Sequence, residues 1–279
     1  MNARRQFLID ISDRYLDSLV KNNPAGLPIA KNVRFTENGH EIKLGEGLWK
    51  TATGITYRQY FVDPAGDQVG FFGVAAENGV LAHLMLRLKV LDNKISEVET
   101  IVSRRGQSSV SSPKSLVTPN PIFEEILAES ERSPRTRMIA IANSYFDGIE
   151  QSSAKNVPFH PDCKRTENGV KPTSNPPRFA MDVAAGLKYF TYITKVRNRR
   201  FLIVDEERGF VWGIVVFDVP GNIRKIDVPG APVELNRPQV LNARSVLIAE
   251  VFKIVNGLIR EIEALMVNVP LGSPSGWPD

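Results

Sequence analysis

The sequence contains a single cysteine, Cys163, among its 279 residues. An intramolecular disulfide is therefore excluded, and nothing in the sequence requires an oxidising compartment. Long hydrophobic runs are also missing, because no segment approaches the roughly 20 apolar residues that span a bilayer. The charged N-terminal stretch has no apolar core of signal-peptide length. These absences predict a soluble, cytoplasmic protein without a membrane partner.

Ligands for metals and motifs for cofactors are equally scarce. The three histidines, His40, His83 and His160, never pair at metal-ligand spacing. His160 and Cys163 are close in sequence, but a zinc site needs three or four ligands. No glycine-rich phosphate-binding motif follows a strand. We therefore predict neither a metal nor a cofactor.

A strong charge of one sign is absent as well. The chain has 35 basic and 31 acidic residues, which give a net charge of +4. Its densest basic run, residues 195–200, lies between two predicted strands, where a solvated hairpin turn explains it. This near balance predicts no nucleic-acid partner.

What the sequence does contain is an internal repeat. The tetrapeptide Thr-Glu-Asn-Gly occurs at residues 36–39 and again at 166–169, an offset of 130. Residues 89–99 match residues 253–263 at an offset of 164, so the second copy carries about 34 extra residues. Pro and Gly residues place this insertion near 218–243. We predict a tandem duplication with a first domain at 1–106, a linker at 107–121 and a second domain at 122–279.

Each copy has the same predicted order of elements. Phe7, Ile11 and Tyr15 recur at helical spacing, so the first copy opens with an amphipathic helix. Two short extended runs follow around Asn38-Gly39, a dipeptide that favours a hairpin with positive φ at both central residues. Longer strands separated by turn residues complete the copy. This order predicts an α+β fold in which a curved antiparallel sheet is covered by helices.

The stretch at residues 33–54 and the terminal Ser-Gly-Trp resemble the nuclear-transport-factor-2-like (NTF2-like, or SnoaL-like) superfamily, and within it a tandem family of fungi and bacteria. The resemblance implies two cone-shaped domains. Enzymes of the superfamily work without a cofactor inside the cone, and other members are not enzymes. One branch that resembles this chain removes a hydroxymethyl group from lignin-derived diaryl dimers as formaldehyde.

Features shared by both copies are explained by the shared fold, so residues found in one copy are better candidates for chemistry. His83 shares one strand face with Met85 and Arg87. That face is either an outer face at an interdomain contact or the lining of the cone, where a histidine would act as general acid or base. Tyr60 and Tyr15 are the other catalytic candidates, and Tyr15 is equally explained as a core-edge residue.

Candidate substrate-binding residues are aromatic or polar side chains that could line an apolar cone. Because Thr36-Glu37 recurs as Thr166-Glu167 and each copy has an arginine shortly before it, a structural role is an alternative for Arg34. The candidates are Arg34, Glu46, Trp49, Arg87, Phe72, Tyr189, Tyr192 and Trp212.

Two classes of function follow from these residues and from the resemblance. The first is a cofactor-independent lyase for an aromatic small molecule, such as a diaryl dimer that releases formaldehyde, with His83 and Tyr60 as acid and base. Arg34 or Arg87 would orient a phenolic oxygen. The alternatives are a non-catalytic ligand-binding or assembly module, and an isomerase or dehydratase. A homo-oligomer formed through sheet faces is a further prediction.

Overall fold

The first half of the chain folds as one long helix laid across a curved sheet. The computed structural model describes residues 2–171, 182–221, 225–226, 233–234 and 242–278. Asn2 begins the helix by accepting the backbone N–H groups of Arg4 and Arg5. A 3₁₀ turn at Gly47–Lys50 carries the chain across the sheet. The elements are α1 (Ala3–Val20), β1 (Ile29–Glu37), β2 (His40–Glu41), β3 (Ala52–Asp63), β4 (Gln68–Glu77), β5 (Val80–Leu91) and β6 (Lys94–Ser103).

The second half repeats this arrangement. Its strand order, β7-β13-β12-β9-β8, corresponds to the order β1-β6-β5-β4-β3 of the first sheet, where β2 adds an edge strand. The predicted loop insertion near 218–243 falls largely outside the described residues, apart from a short hairpin. The elements are α2 (Arg135–Glu150), β7 (Phe159–Glu167), α3 (Val183–Gly186), β8 (Lys195–Asp205), β9 (Phe210–Val219), β10 (Lys225–Ile226), β11 (Val233–Glu234), β12 (Arg244–Val255) and β13 (Leu258–Val269).

The predicted α+β class with two helix-covered curved sheets is confirmed, with one correction to the strand pairing. The sheets are mixed, because β1 runs parallel to β6 and β7 runs parallel to β13. The reason is topological: the chain crosses the sheet after the first strand, so that strand pairs with the last one. None of the helices in the described part of the chain is long and apolar enough to cross a membrane.

The two Asn-Gly turns occupy equivalent places in the two sheets. Asn38 and Asn168 have φ angles of 50° and 44°, and the glycine after each also has positive φ. The Asn38 amide bonds both backbone groups of Val102, at 2.8 and 3.1 Å. The Asn168 amide does the same with Met266, at 2.9 and 3.0 Å. The repeated tetrapeptide is therefore explained by the fold.

Each Asn-Gly turn also contacts the segment that follows the last strand of the other half. A Cβ atom at Gly39 would lie 2.6 Å from the carbonyl oxygen of Pro274, and one at Gly169 would lie 2.5 Å from that of Ser112. Both positions therefore require glycine. The Trp277 indole donates to the Thr36 hydroxyl at 2.8 Å and fixes the C-terminal segment on the first half.

The space between α1 and the first sheet, called the first cone here, is filled by side chains. Tyr15 and Trp49 are almost fully buried there. The Trp49 indole donates to the Tyr15 hydroxyl at 2.9 Å, and the two rings pack edge to face. Phe35 and Leu86 belong to the same apolar cluster. These side chains form the hydrophobic core of the first half.

The outer faces of the two sheets pack back to back. Phe61, Phe72 and Met85 of the first sheet join Trp212 and Ile214 of the second in one buried cluster. The rings of Phe72 and Trp212 lie 6.1 Å apart. The sheet faces that were predicted to form a homo-oligomer are thus buried between the two halves of the same chain.

Reciprocal ion pairs connect the halves. Arg5 on α1 contacts Asp205 at 2.6 Å, and Arg135 on α2 contacts Asp63 at 2.7 Å. Arg5 and Arg135 are 130 residues apart and open equivalent helices, while Asp63 and Asp205 end equivalent strands. The halves are therefore related by an approximate two-fold axis.

One pair of equivalent interface residues breaks this symmetry. Glu99 contacts Arg87 at 3.0 Å and Arg200 at 2.5 Å. The counterpart of Glu99 in the second half is Glu263. By strand register, Val251 occupies the position equivalent to Arg87, and Gln59 the position equivalent to Arg200. Gln59 donates to Glu263 at 3.4 Å. Burial raises the pKa of Glu263 to about 7, and the Gln59 hydrogen bond opposes only part of that shift.

This asymmetry predicts a pH-dependent stability. Because the folded-state pKa of Glu263 lies above its ordinary value of 4.5, its ionisation destabilises the fold as the pH rises from about 4.5 to 7. Glu263→Gln should therefore raise the free energy of unfolding by about 3 kcal/mol at pH 8 and leave it unchanged near pH 4. Denaturant unfolding at both pH values measures this, with the exposed Glu129→Gln as control. An equal gain at both pH values would contradict the prediction.

Candidate functional site

The space between α2 and the second sheet, called the second cone, contains a cavity of about 110 Å³. Phe190, Phe217 and Ile248 give it apolar walls. The linker contributes Ser109 and Val110 to the wall, so the site is completed by a segment outside the second sheet. The polar lining residues are Tyr145, Glu167, Tyr192, Arg244, Glu250 and Asn268.

Strand β12 supplies both ends of the cavity. Arg244, Val246, Ile248 and Glu250 all line it, at every second position of the strand. Alternation of side chains explains this, since residues two apart point to the same face of a sheet. Arg244 and Glu250 therefore face one space from opposite ends of its apolar wall.

Glu250 is a buried carboxyl group in the middle of an apolar strand. Its residue is only 3% exposed. Burial raises its pKa to about 8, although the nearby Arg165 guanidinium acts in the opposite direction. The Tyr145 hydroxyl lies within hydrogen-bonding reach of the same carboxyl. At neutral pH the Glu250 side chain is therefore protonated and able to donate a proton.

The second carboxyl group of the cavity has a different environment. Glu167 forms an ion pair with Arg165, whose Nε lies 3.1 Å from a carboxylate oxygen. Arg165 also donates from Nη1 to the Tyr145 hydroxyl at 3.2 Å, and its guanidinium stacks over the Phe190 ring. Burial opposes the charge on Arg165, but the Glu167 carboxylate outweighs it and keeps the pKa of Arg165 above its usual range. The cavity thus contains one carboxyl group whose pKa is raised by burial and one that is ion-paired with an arginine.

The first cone has apolar residues at the positions of two of these charges. Arg165 corresponds to Phe35, because each residue directly precedes the repeated Thr-Glu pair on the parallel strand. Glu250 corresponds to Leu86, because the two residues occupy equivalent register positions on β12 and β5. Arg165 and Glu250 are therefore specific to the second half, whereas Glu167 has a counterpart in Glu37.

His83 does not lie in either cone. It shares the outer face of β5 with Met85 and is 1% exposed. Burial lowers its pKa to about 4, far from the neutral value expected of an acid or base. Within the described residues neither ring nitrogen has a hydrogen-bond partner. Tyr60 points to the opposite face and donates to Asp13 at 2.5 Å, so the structure does not bring the proposed acid and base together.

The other predicted residues of the first half lie apart from the cavity. Arg34 donates to the carbonyl of Gly276 at 2.6 Å and stacks on Trp277. Glu46 accepts the backbone N–H of Lys43 in a turn. Arg87 is committed to Glu97 and Glu99, while Tyr15 and Trp49 belong to the core of the first cone and Phe72 to the interdomain core.

Of the predicted residues in the second half, Tyr192 lines the cavity. Trp212 packs between the sheets, and Tyr189 is buried beneath Lys188. Sequence reasoning did not select Arg165, Glu167, Arg244, Glu250 or Asn268. The sequence signal that could have identified Glu250 and Arg165 is that each is a charged residue whose equivalent in the first copy is apolar.

Comparison with known proteins follows the division into two halves. Residues 2–102 and 131–266 match a family model described as Domain of unknown function (DUF8021). The chain belongs to this family. The DUF8021 match includes both helices and both sheets. No curated protein matches the chain.

Several solved structures are similar to parts of this DUF8021 chain. One is an NTF-2 like protein of unknown function from Burkholderia xenovorans, with 10% identity, coverage of 38% of this chain and 89% of that chain, and a TM-score of 0.31. Another is PrhC from Penicillium brasilianum, with 15% identity, coverage of 48% and 82%, and a TM-score of 0.30. A third is a de novo designed protein with a curved β-sheet, with 18% identity, coverage of 36% and 87%, and a TM-score of 0.31.

Proposed function

We propose that the second domain is a cofactor-independent lyase in which Glu250 is the general acid and Glu167 the general base. The observation that carries the proposal is the pair of carboxyl groups that line one cavity in different environments. Burial raises the pKa of Glu250 to about 8, whereas Glu167 forms an ion pair with Arg165. Such a pair can give one proton and take another in the same reaction.

The reaction that fits this pair is the loss of an oxygen leaving group. Glu250 gives its proton to a hydroxyl group as the carbon–oxygen bond breaks and water departs. Glu167 takes a proton from the neighbouring carbon, and the electrons of that bond form the new double bond. One proton returning from Glu167 to Glu250 through solvent restores both groups.

The same groups could support the carbon–carbon version implied by the family resemblance. Glu250 would again protonate a leaving benzylic hydroxyl, while Glu167 would take the proton of the remaining primary alcohol. Formaldehyde and water then leave as a carbon–carbon double bond forms. A cavity of about 150 Å³ accommodates one benzene ring. The 110 Å³ space is smaller than this, so it favours a short chain or part of one ring in the cavity, and the rest of a diaryl dimer would lie outside it.

The first domain fits the alternative of a non-catalytic module. Its cone is filled by Tyr15, Trp49 and their apolar neighbours, and its sheet forms half of the interdomain core. We propose that it supports the second domain structurally and does not bind substrate.

A pH–rate profile tests the assignment. The purified chain is screened against hydroxylated single-ring and short-chain compounds by product detection, and against a diaryl dimer by formaldehyde detection. Because Glu250 must be protonated to act as the acid, the rate with any compound turned over should fall about tenfold per pH unit above pH 8. His83→Gln should show the same profile. A rate that is constant from pH 7 to 10, or no turnover of any compound, would contradict the proposed function.

A further inference from the structure

We propose that Arg244, Asn268 and Tyr192 form a subsite for a carboxylate group of the substrate. The inference rests on the proposed function, and it defines the substrate as a monoanionic acid. Its carboxylate would lie at the Arg244 end of the cavity and its reacting carbon at the Glu250 end. The three side chains all line the cavity near its linker wall.

Arg244 has hydrogen-bonding capacity left for a ligand. Its Nε donates to the Asn268 side-chain oxygen at 3.1 Å, and Nη1 donates to the carbonyl of Asn242 at 3.3 Å. No carboxylate of the described residues lies within ion-pair distance of it, whereas Arg165 is paired with the cavity residue Glu167. A half-buried guanidinium without a counter-ion attracts an anion into the space that it faces.

Asn268 adds a second donor in a fixed orientation. A guanidinium can only donate, so the oxygen of the Asn268 amide must face Arg244. The amide nitrogen then faces away from Arg244, and it has no acceptor within the described part of the chain. Tyr192 supplies a hydroxyl group close enough to influence the charge of Arg244. Together these groups offer donors to two oxygens of one anion.

The first domain lacks this subsite at the equivalent place. There Arg104, which corresponds to Asn268, forms an ion pair with Glu77 at 2.7 Å. Glu77 corresponds to Val219 by strand register, and Val80 stands in the place of Arg244. The first domain thus has the Arg104–Glu77 ion pair at this place, whereas the second domain has the cation of Arg244 beside the neutral amide of Asn268.

The cavity wall also limits the chemistry of the substrate. Arg244 and Glu250 are six positions apart on β12, which corresponds to about 20 Å along an extended strand. Val246 and Ile248 line the cavity between them. The body between the carboxylate and the reacting carbon is therefore apolar. A single unpaired guanidinium matches a monoanion better than a phosphate dianion.

Binding of simple acids to the full chain tests the subsite. The probes are hexanoate, benzoate and 3-phenylpropanoate, each compared with its primary amide by calorimetry and by ligand-detected NMR. We expect the acids to bind and the amides to bind at least about tenfold more weakly. Arg244→Gln should weaken binding of the acids by about 10- to 100-fold, because a charge-assisted hydrogen bond is lost. Arg244→Lys should restore part of this loss.

Arg260→Gln is the matched control, since Arg260 is exposed on the adjacent strand β13 and its loss changes the net charge equally. It should leave the affinity for the acids unchanged. Asn268→Asp is a second variant, which places a carboxylate beside Arg244 and should also weaken binding of the acids. Circular dichroism establishes that each variant is folded. Equal affinity of wild type and Arg244→Gln for the acids, or equal affinity of acids and amides, would overturn the subsite.

Glu250→Gln separates this inference from the proposed function. It should keep the affinity for the acids within about threefold, because a glutamine side chain retains the shape of a protonated carboxyl group. If Glu250→Gln abolishes turnover while Arg244→Gln binds acids normally, the subsite fails and the proposed function stands. If Arg244→Gln loses binding while Glu250→Gln retains full turnover, the subsite stands and the proposed function fails.

Discussion

Glu250→Gln should lower the turnover number of the chain by about 10²- to 10⁴-fold, which is the usual contribution of a positioned general acid. Glutamine keeps the size of the side chain and a hydrogen bond to the Tyr145 hydroxyl, but it has no acidic proton. The variant should also be more stable than wild type by an amount that grows from about pH 4.5 to pH 8, because the folded-state pKa of Glu250 lies above its ordinary value. Steady-state kinetics and unfolding curves measure the two effects.

The matched control for this variant is Glu263→Gln. Glu263 is also a buried glutamate with a raised pKa, but it lies between the domains and outside the cavity. Its replacement should leave turnover within a factor of two or so. If both variants lost activity to the same extent, a general effect of burying an amide would explain the result, and the role of Glu250 would be refuted.

Arg5→Met should lower the free energy of unfolding by about 3–5 kcal/mol, the effect of removing one partner from a buried ion pair. Arg5 and Asp205 are 5% and 3% exposed, and their charged atoms lie 2.6 Å apart. Without Arg5, Asp205 keeps its contact with the Arg208 backbone and side chain but loses its shortest ionic partner. Urea unfolding at pH 7 measures the loss.

Arg4→Met, one residue earlier on the same helix, is the control for Arg5→Met. Arg4 contacts Asp67 at the same distance of 2.6 Å, but the two side chains are 30% and 44% exposed. Solvent screens such a pair, so the loss should not exceed about 1 kcal/mol. Similar losses for the two variants would show that burial of the interdomain pair contributes nothing, contrary to expectation.

Local signals in the sequence identified most of the fold. The Asn-Gly turns and the helical spacing around Tyr15 depend on neighbouring residues, and the structure confirms both elements. The parallel pairing of β1 with β6 was missed because it joins strands about 60 residues apart, and no local pattern encodes it. The extra residues of the second copy also lie partly before β9, since the offset between the copies is already 142 at that strand.

The site was harder to identify from the sequence. When both faces of a strand are buried, polar and apolar residues do not alternate, so the sequence does not show which side chains point into the cone. Strand β5 is almost continuously buried, so the sequence left His83 equally compatible with the cone and with the interdomain face. The criterion that chemistry lies in residues unique to one copy also selects Glu250, but it was applied to aromatic residues and to His83, Glu46 and Arg87. Aligning Glu250 with Leu86 requires the offset of 164, which is reliable only once strand register is known.

The back-to-back packing of two related sheets in one chain has a consequence for how the cones can differ. In a dimer of identical subunits, every substitution occurs in both cones, so a buried charge in one is always repeated in the other. Here Leu86 and Phe35 complete an apolar core, while at the equivalent positions Glu250 faces a cavity and Arg165 contacts two of its lining residues, Glu167 and Tyr145. Covalent fusion lets one copy contribute stability and the other retain ionisable groups that cost stability. In a symmetric dimer, each subunit must combine a stable core with destabilising ionisable groups, whereas this chain assigns the two requirements to different halves.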